Sequence, residues 1–273
     1  MDDCPGIRIC CAQMTSIWND PKKTLEKAGR FVKHAAASGA DLICFPEQFA
    51  TGWDPRSDSH TEDTRGSIVS ELVNLARENT IGILGSIRER NDPHPKNTAV
   101  AIGPDGSILT TYAKIHLFSP CGEEKYFSPG SELGIFRIGQ LTCGIAICYD
   151  LRFPELFRLY AQNNVQAVFV PAAWPASRMK HWELFITARA CENQIYVIGI
   201  NTTGKTPVDS YTGSSMTVDP AGTVVSRAHD AEELLFSDLD PALVAATRSS
   251  FPVTRDCRHD LYAEISQRRQ HTR

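Results

Sequence analysis

The sequence contains no apolar stretch of the roughly 20 residues that a membrane-spanning helix requires, which argues against a membrane protein. Net charge is also small, at −4 from 28 basic and 32 acidic residues. The chain therefore lacks the strong positive charge that would predict binding to nucleic acid or to an anionic membrane. The first residues, MDDCPGIRICC, are acidic at their start and predict no secretory signal.

The usual metal-binding spacings C-x-x-C, H-x-x-x-H and H-E-x-x-H are absent too, so no metal site is expected. Nine cysteines are present, an odd number without a regular frame. Cys10, Cys11, Cys44 and Cys143 lie inside apolar runs. This usage is typical of small buried side chains in a reducing compartment and predicts a cytoplasmic protein without disulfides.

No low-complexity linker divides the chain, which predicts a single domain over residues 1–264 and a charged C-terminal tail over 265–273. Short apolar runs alternate with amphipathic segments, as in an α/β protein whose sheets are buried under helices. Each half ends in a similar hairpin, AVAIGPDGSILTTY and then MTVDPAGTVVSR, which predicts an internal pseudo-two-fold arrangement. The pattern leaves open whether one sheet or two are formed.

The stretch GIAICYDLRF contains the first candidate for chemistry. Cys148 ends an apolar strand, and Asp150 and Arg152 follow at once. An inert core cysteine needs no charged neighbours, whereas a reactive thiol close to a helix N-terminus is favoured as thiolate. We therefore interpret Cys148 as a nucleophile.

Two further strand ends carry charge. In ICFPEQFATGW, Glu47 follows an apolar strand, where apolar neighbours would raise its pKa and suit it to proton transfer. In TYAKIHLFSP, Lys114 lies among aliphatic and aromatic residues and could stabilise an oxyanion. Taken singly, each could also be an ordinary solvent-exposed side chain.

Together the motifs FPE, YAKIHLF and CYDLRFPE resemble those of the nitrilase, or carbon–nitrogen hydrolase, superfamily over nearly the whole chain. The resemblance implies a four-layer α-β-β-α sandwich, usually dimerised through helices, so a homodimer or a higher homo-oligomer is expected. It also implies that Cys148 attacks an amide or nitrile carbon to form a thioester. Glu47 would then be the general base and acid.

The resemblance assigns the remaining roles as well. Lys114 and the backbone N–H of Tyr149 would hold the oxyanion, and a second glutamate would position substrate and lysine. Spacing to SPG favours Glu123 for this role, with Glu124 as the alternative. It implies that Arg152, Glu155, Arg189 and Glu192 belong to the scaffold rather than to the chemistry, and that no metal or cofactor is needed.

Flanking segments, HWELFITARACENQIYV and FPVTRDCRHDLY, resemble the amidase branch that contains the omega-amidases. The expected substrates are thus small amides, including dicarboxylic monoamides, with nitrilase or N-carbamoyl amidohydrolase activity as the alternative. Arg178 is the candidate partner for the substrate carboxylate that lies away from the amide group. Candidate pocket walls are Phe49, Trp53 and Trp174.

Two alternative interpretations of the function remain. GINTTGKT, residues 199–206, satisfies the phosphate-binding expression G-x-x-x-x-G-K-[ST], but Pro207 follows where a helix should begin. A protease-like pair of Cys148 with His116 or His181 is the other possibility.

Overall fold

The computed structural model describes residues 6–258, 260–262 and 264–265. Its first half alternates strands and helices and then ends in a hairpin, as the sequence predicts. The elements are β1 Ile7–Gln13, α1 Pro21–Ala37, β2 Leu42–Cys44, α2 Ser67–Asn79, β3 Gly82–Glu89, β4 Lys96–Ile102 and β5 Ile108–Ala113.

The second half repeats this order after an additional strand. Its elements are β6 Gly134–Ile138, β7 Leu141–Ile145, α3 Pro154–Gln162, β8 Ala167–Ala172, α4 Met179–Asn193, β9 Tyr196–Asn201, β10 Thr203–Lys205, β11 Ser210–Thr212, β12 Met216–Val218 and β13 Val224–Arg227. The described chain then continues through β14 Glu233–Leu239, α5 Pro241–Ser250 and α6 Val253–Asp256.

The strands form two six-stranded sheets of matching topology. The first sheet has the order β14-β1-β2-β3-β4-β5, and the second has the order β13-β12-β9-β8-β7-β6. In each sheet, three neighbouring parallel strands joined through helices are followed by an antiparallel hairpin. The predicted pseudo-two-fold is confirmed by this correspondence, and the question of one sheet or two is answered.

Three apolar clusters separate four layers. The central cluster joins the two sheets, with residues such as Ile9 and Leu84 facing Phe169 and Ile198. A second cluster packs α1 and α2 on the outer face of the first sheet. A third packs α3 and α4 on the second sheet. The expected α-β-β-α sandwich is therefore the fold of this chain.

Local sequence signals account for the helix ends. Asp20 accepts a hydrogen bond from the backbone N–H of Lys23 and caps α1, and Pro21 occupies the first helical turn. Gly39, with φ of 77°, follows the end of the helix. Gly199 lets α4 approach β9, because an added Cβ would lie 2.5 Å from Trp182.

The phosphate-binding interpretation of residues 199–206 is wrong. Lys205 ends strand β10, and the chain turns there into β11 rather than into a helix. Two short elements went unpredicted: strand β6 and the β10–β11 hairpin. No helix among the described residues is both long and apolar enough to span a membrane. Residues 266–273 of the predicted tail lie outside the described residues.

Candidate active site

Charged side chains from two strand ends and one short turn meet at one edge of the sandwich. Glu47 follows β2, Lys114 follows β5 and Glu123 lies in a short 3₁₀ turn nine residues later. Each of the three is at most 1% exposed, although each carries a charge at neutral pH in water. Burial of this kind is tolerated only when the charges are paired.

Lys114 joins the two carboxylates. Its Nζ lies 2.9 Å from Glu47 Oε1 and 2.9 Å from Glu123 Oε2. The backbone N–H of Phe118 donates to Glu123 Oε2 at 2.6 Å and fixes that side chain in turn. One ammonium group therefore stands between two acids with its position set from both sides.

Glu47 is held by two more donors. Asn97 Nδ2 donates to its Oε1 at 2.7 Å, and the backbone N–H of Ala173 donates to its Oε2 at 3.1 Å. Asn97 comes from β4, and Ala173 directly follows β8, so both sheets orient this carboxylate. A base with this many fixed contacts needs no rearrangement before it accepts a proton.

The nucleophile candidate begins a tight turn. Cys148 starts a 3₁₀ turn that runs to Arg152, and its φ is 46°, in the left-handed region that residues with a Cβ seldom adopt. The side chain is half-buried, and the Glu47 carboxylate lies close enough to raise the pKa of its thiol. The strained backbone directs the sulfur toward the Glu47–Lys114 pair.

Burial and charge set the resting protonation states. Burial, with the Glu47 carboxylate, raises the pKa of the Cys148 thiol well above its usual value. Burial also raises the pKa of Glu47, against the opposing effect of Lys114. Burial would lower the pKa of Lys114, but Glu123 and Glu47 outweigh it and raise that pKa. These shifts favour a neutral thiol beside a base over a thiolate at rest.

A mainly apolar pocket opens above the sulfur. The residues that line it are Trp53, Lys114, Phe118, Cys148, Tyr149, Arg152, Ala173, Trp174, Pro175, Arg178, Asp209 and Tyr211. Two of them are arginines, and neither guanidinium forms an ion pair with a carboxylate among the residues that the structure describes. Arg178 lies over the Phe118 ring at 5.3 Å and Arg152 over the Trp174 ring at 4.8 Å.

Most, but not all, of the predicted substrate-binding residues line the pocket. Tyr149, Trp174 and Arg178 line the pocket, as does Trp53. Phe49 does not: it is fully buried, stacks on Phe45 at 4.5 Å between ring centroids and belongs to the cluster under α1 and α2. The chain turns immediately after Glu47, and this turn carries Phe49 to the opposite side of the first sheet.

For the second glutamate the structure distinguishes the two candidates by position. Glu123 is fully buried against Lys114, whereas Glu124 is exposed. The geometry thus matches the role expected for Glu123.

Several site residues were missed by sequence reasoning. Asn97 could have been suspected, because it is polar within an apolar strand. Arg152 was assigned to the scaffold, since nothing in its neighbourhood reveals that Phe185 from α4 and Trp174 enclose its guanidinium. Asp209 and Tyr211 belong to the β10–β11 hairpin, which was itself not predicted.

Neither histidine pairs with the sulfur in the described structure. His116 Nδ1 lies 2.8 Å from Asp150 Oδ1, and His181 Nδ1 contacts the Arg152 guanidinium at 3.4 Å. A Cys–His pair therefore has no geometric support. Of the residues described, no three His, Cys, Asp or Glu side chains group as they would around a metal ion.

Comparison with known proteins adds independent information. A sequence model of the carbon-nitrogen hydrolase family matches residues 8–249. The 2-oxoglutaramate amidase of Bacillus subtilis (strain 168) is 34% identical over 256 residues, which cover 93% of this chain and 98% of that protein. The omega-amidase NIT2 of Homo sapiens is 34% identical over 263 residues, with 92% and 94% covered.

Among solved structures, an amidase from Nesterenkonia sp. superimposes with a TM-score of 0.86 at 26% identity, covering 96% of this chain and 97% of that chain. A variant of that amidase, in which one glutamate is replaced by leucine, carries the acetamide moiety of fluoroacetamide covalently on its active-site cysteine.

Proposed function

The chain belongs to the carbon–nitrogen hydrolase family and is an amidase, and from this premise we propose that it releases ammonia from small carboxylate-bearing amides through a Cys148 thioester. The observation that carries the proposal is the buried Glu47–Lys114–Glu123 group in contact with the thiol. This arrangement supplies a nucleophile, a base and a fixed cation within one pocket.

In the first step Glu47 takes the thiol proton as the sulfur attacks the amide carbon. The Glu47 carboxylate neighbours the thiol, and the raised pKa of Glu47 suits it to hold that proton. Because the thiol is not ionised at rest, attack and deprotonation are coupled.

The attack turns the amide oxygen into an oxyanion. Lys114 Nζ, fixed by two carboxylates, and the backbone N–H of Tyr149 are the donors that we assign to it. Glu47 then returns the proton to the departing nitrogen, and ammonia and the thioester result.

Water completes the cycle. Glu47, again unprotonated, removes a proton from a water molecule that attacks the thioester carbon. Collapse of this second adduct expels the sulfur, which recovers its proton from Glu47, and the carboxylic acid product leaves. No group outside Cys148, Glu47, Lys114 and the backbone has to change its bonding.

The pocket arginines favour an anionic substrate. Arg178 and Arg152 line one cavity with a single carboxylate, Asp209, and neither guanidinium is ion-paired among the described residues, so a substrate carboxylate would balance the remaining positive charge. The named relatives act on 2-oxoglutaramate or are omega-amidases, which is consistent with a dicarboxylic monoamide here.

The test is an ammonia-release screen over small amides, matched nitriles and N-carbamoyl compounds. We expect turnover of carboxylate-bearing amides, an acyl adduct on Cys148 by mass spectrometry, and no ammonia from Cys148→Ala. Preference for nitriles or carbamoyl compounds, or full activity without Cys148, would refute the proposal.

We also propose a homodimer in a reducing compartment such as the cytoplasm. Leu159 on α3 and Leu184 on α4 are 47% and 60% exposed on the outer helical layer, where a second copy could cover them. All eight cysteines in the described residues are free, which favours reducing conditions.

A further inference from the structure

The Asp150 carboxylate is fully buried and accepts four hydrogen bonds. Its Oδ2 accepts from Tyr112 Oη at 2.7 Å and from the backbone N–H of Ile147 at 2.9 Å. Its Oδ1 accepts from the backbone N–H of His116 at 2.9 Å and from His116 Nδ1 at 2.8 Å. None of these bonds goes to the Cys148 sulfur or to Lys114 Nζ.

The donors have a particular arrangement along the chain. Tyr112 and His116 lie two residues before and two residues after Lys114. Ile147 immediately precedes Cys148. A single carboxylate thus connects the segment that carries the cation to the turn that carries the nucleophile, although the two are more than thirty residues apart in sequence.

The turn needs such support because its backbone is strained. Cys148 holds a φ of 46° between Ile147 and Asp150, and the Asp150 backbone N–H also donates to Ile147 O at 3.0 Å. Asp150 therefore bonds Ile147 through both its main chain and its side chain and closes the turn around the cysteine. A strained conformation persists only where its surroundings over-determine it.

We propose that Asp150 is a positioning residue that fixes the Cys148 turn against the Lys114 segment, so that the Cys148 sulfur and the Lys114 ammonium group keep the relative position that the reaction requires. The inference rests on the proposed function of Cys148 and Lys114. It assigns Asp150 no contact with substrate and no proton to transfer.

The direct test is Asp150→Asn in the full-length protein. An amide has one acceptor oxygen, so its NH₂ group must face either the Ile147 N–H or the His116 N–H, and one of these backbone contacts is lost. We expect kcat to fall about 100-fold, as for a displacement of the nucleophile by about 1 Å. Since no substrate contact is removed, KM should change by less than about threefold.

A second readout does not depend on amide turnover. Iodoacetamide should modify Cys148 about tenfold more slowly in Asp150→Asn, since the sulfur is displaced from its base. Peptide mass spectrometry follows Cys148 and, in the same sample, the exposed Cys191 on α4, whose rate should not change. If the wild type released no ammonia, the proposed function would fail, while the Cys148-to-Cys191 ratio would still test the positioning.

Matched variants at His116 test its side-chain hydrogen bond to Asp150 without altering Asp150. Asn at position 116 can place an N–H group where Nδ1 lies, whereas Leu cannot. His116→Leu should lose about tenfold in kcat, the equivalent of one buried hydrogen bond, and His116→Asn should recover most of it. Tyr112→Phe, which removes one donor, should resemble His116→Leu.

The outcomes are decisive in either direction. Unchanged kcat in folded Asp150→Asn, or a loss explained entirely by a smaller folded fraction in thermal unfolding, would overturn the proposal. If Asp150→Asn does not fold, the Tyr112 and His116 variants decide: equal kcat in the Leu and Asn variants, with wild-type kcat in Tyr112→Phe, would overturn it.

Discussion

At the residue scale, the site depends on one ammonium group between two buried acids. Neither Glu47 nor Glu123 has solvent to stabilise its charge, and both lie 2.9 Å from Lys114 Nζ. Removing the lysine would leave two uncompensated carboxylates in the protein interior, which is far costlier than losing a surface ion pair.

Lys114→Met should therefore affect both activity and stability. We expect ammonia release to fall by about 10³-fold, because the oxyanion loses its charged donor. The free energy of unfolding at pH 7 should fall by about 3–5 kcal/mol. Initial rates and urea unfolding measure the two effects.

The stability loss should depend on pH with a definite sign. In the variant, the buried carboxylates bind protons more tightly in the folded state than in the unfolded state, so stability rises as pH falls. The deficit relative to wild type should thus shrink between pH 7 and pH 5.5. Lys125→Met, at an exposed lysine of the same loop, is the control and should be nearly neutral. A deficit independent of pH would contradict the uncompensated-charge argument.

The pH profile of activity follows from Glu47. Its pKa is raised from the ordinary value of 4.5, mainly by burial, and only the unprotonated form can accept the thiol proton. The acidic limb of kcat/KM should therefore have its midpoint above pH 4.5, and rates should fall as pH drops through it. A profile that is flat down to pH 4.5 would exclude Glu47 as the base, and Glu47→Gln should abolish turnover.

Arg178→Ala tests the charge of the substrate. We expect kcat/KM for carboxylate-bearing amides to fall by about 10–100-fold, the value of one charge-assisted contact. Neutral amides such as butyramide should change by less than about twofold. Arg30→Ala, at an exposed arginine on α1, is the matched control. Equal losses on acidic and neutral amides would refute the assigned role.

At the element scale, the loop after β2 carries Trp53 to the pocket and is anchored by Arg88 of β3. The Arg88 guanidinium donates to the carbonyl oxygens of Gly52 and Ser59, each at 2.9 Å, and to Gln48 Oε1 at 3.0 Å. The side chain is 1% exposed, and burial lowers its pKa to about 10. A costly buried cation is thus used to order a pocket loop.

Arg88→Met should release that loop. We expect the free energy of unfolding to fall by about 3 kcal/mol, because buried carbonyl groups lose their donors. Hydrogen exchange should accelerate over residues 48–60, and KM should rise more than kcat falls. Arg90→Met, at the exposed arginine two residues further on, is the control. Unchanged exchange in the loop would show that Arg88 does not order it.

Elements with a strong local pattern could be predicted from sequence. Helix α1 has a cap, a proline and a terminal glycine, and the two predicted hairpins have turn signals, so all three formed where expected. The β10–β11 hairpin was missed because its strands are three residues each and largely polar. Its role in the pocket depends on packing against distant segments, which no local pattern records.

The same distinction holds within the site. Glu47, Lys114 and Cys148 lie at strand ends beside apolar runs, so their positions could be predicted from the sequence. Phe49 was misplaced because the sequence does not reveal which face of the first sheet the chain takes after Glu47. Asp150 was recognised only as a charged neighbour of Cys148, and its contacts could not be predicted, since its partners Tyr112 and His116 come from the other half of the chain.

At the scale of the whole molecule, the outer helical layer of α3 and α4 predicts self-association. The wild type should elute at twice the chain mass of 30.2 kDa in size-exclusion chromatography with light scattering. Leu184→Lys should shift it toward the monomer, because a charge would be buried against an apolar partner surface. Ile108→Lys, at the 43% exposed residue that begins β5, is the control. An unchanged mass for Leu184→Lys would exclude this face as the interface.

The position of β14 has a consequence for biosynthesis. It pairs with β1 over seven residues, from Ile7 with Leu239 to Gln13 with Glu233, so β1 lacks this partner until β14 has been synthesised. Until then β1 has an unpaired edge in a five-stranded sheet, and such an edge invites contact with other nascent chains. The first sheet is thus completed only once β14 has been synthesised, and a chain truncated before Glu233 should be a target for chaperones rather than a stable half-protein.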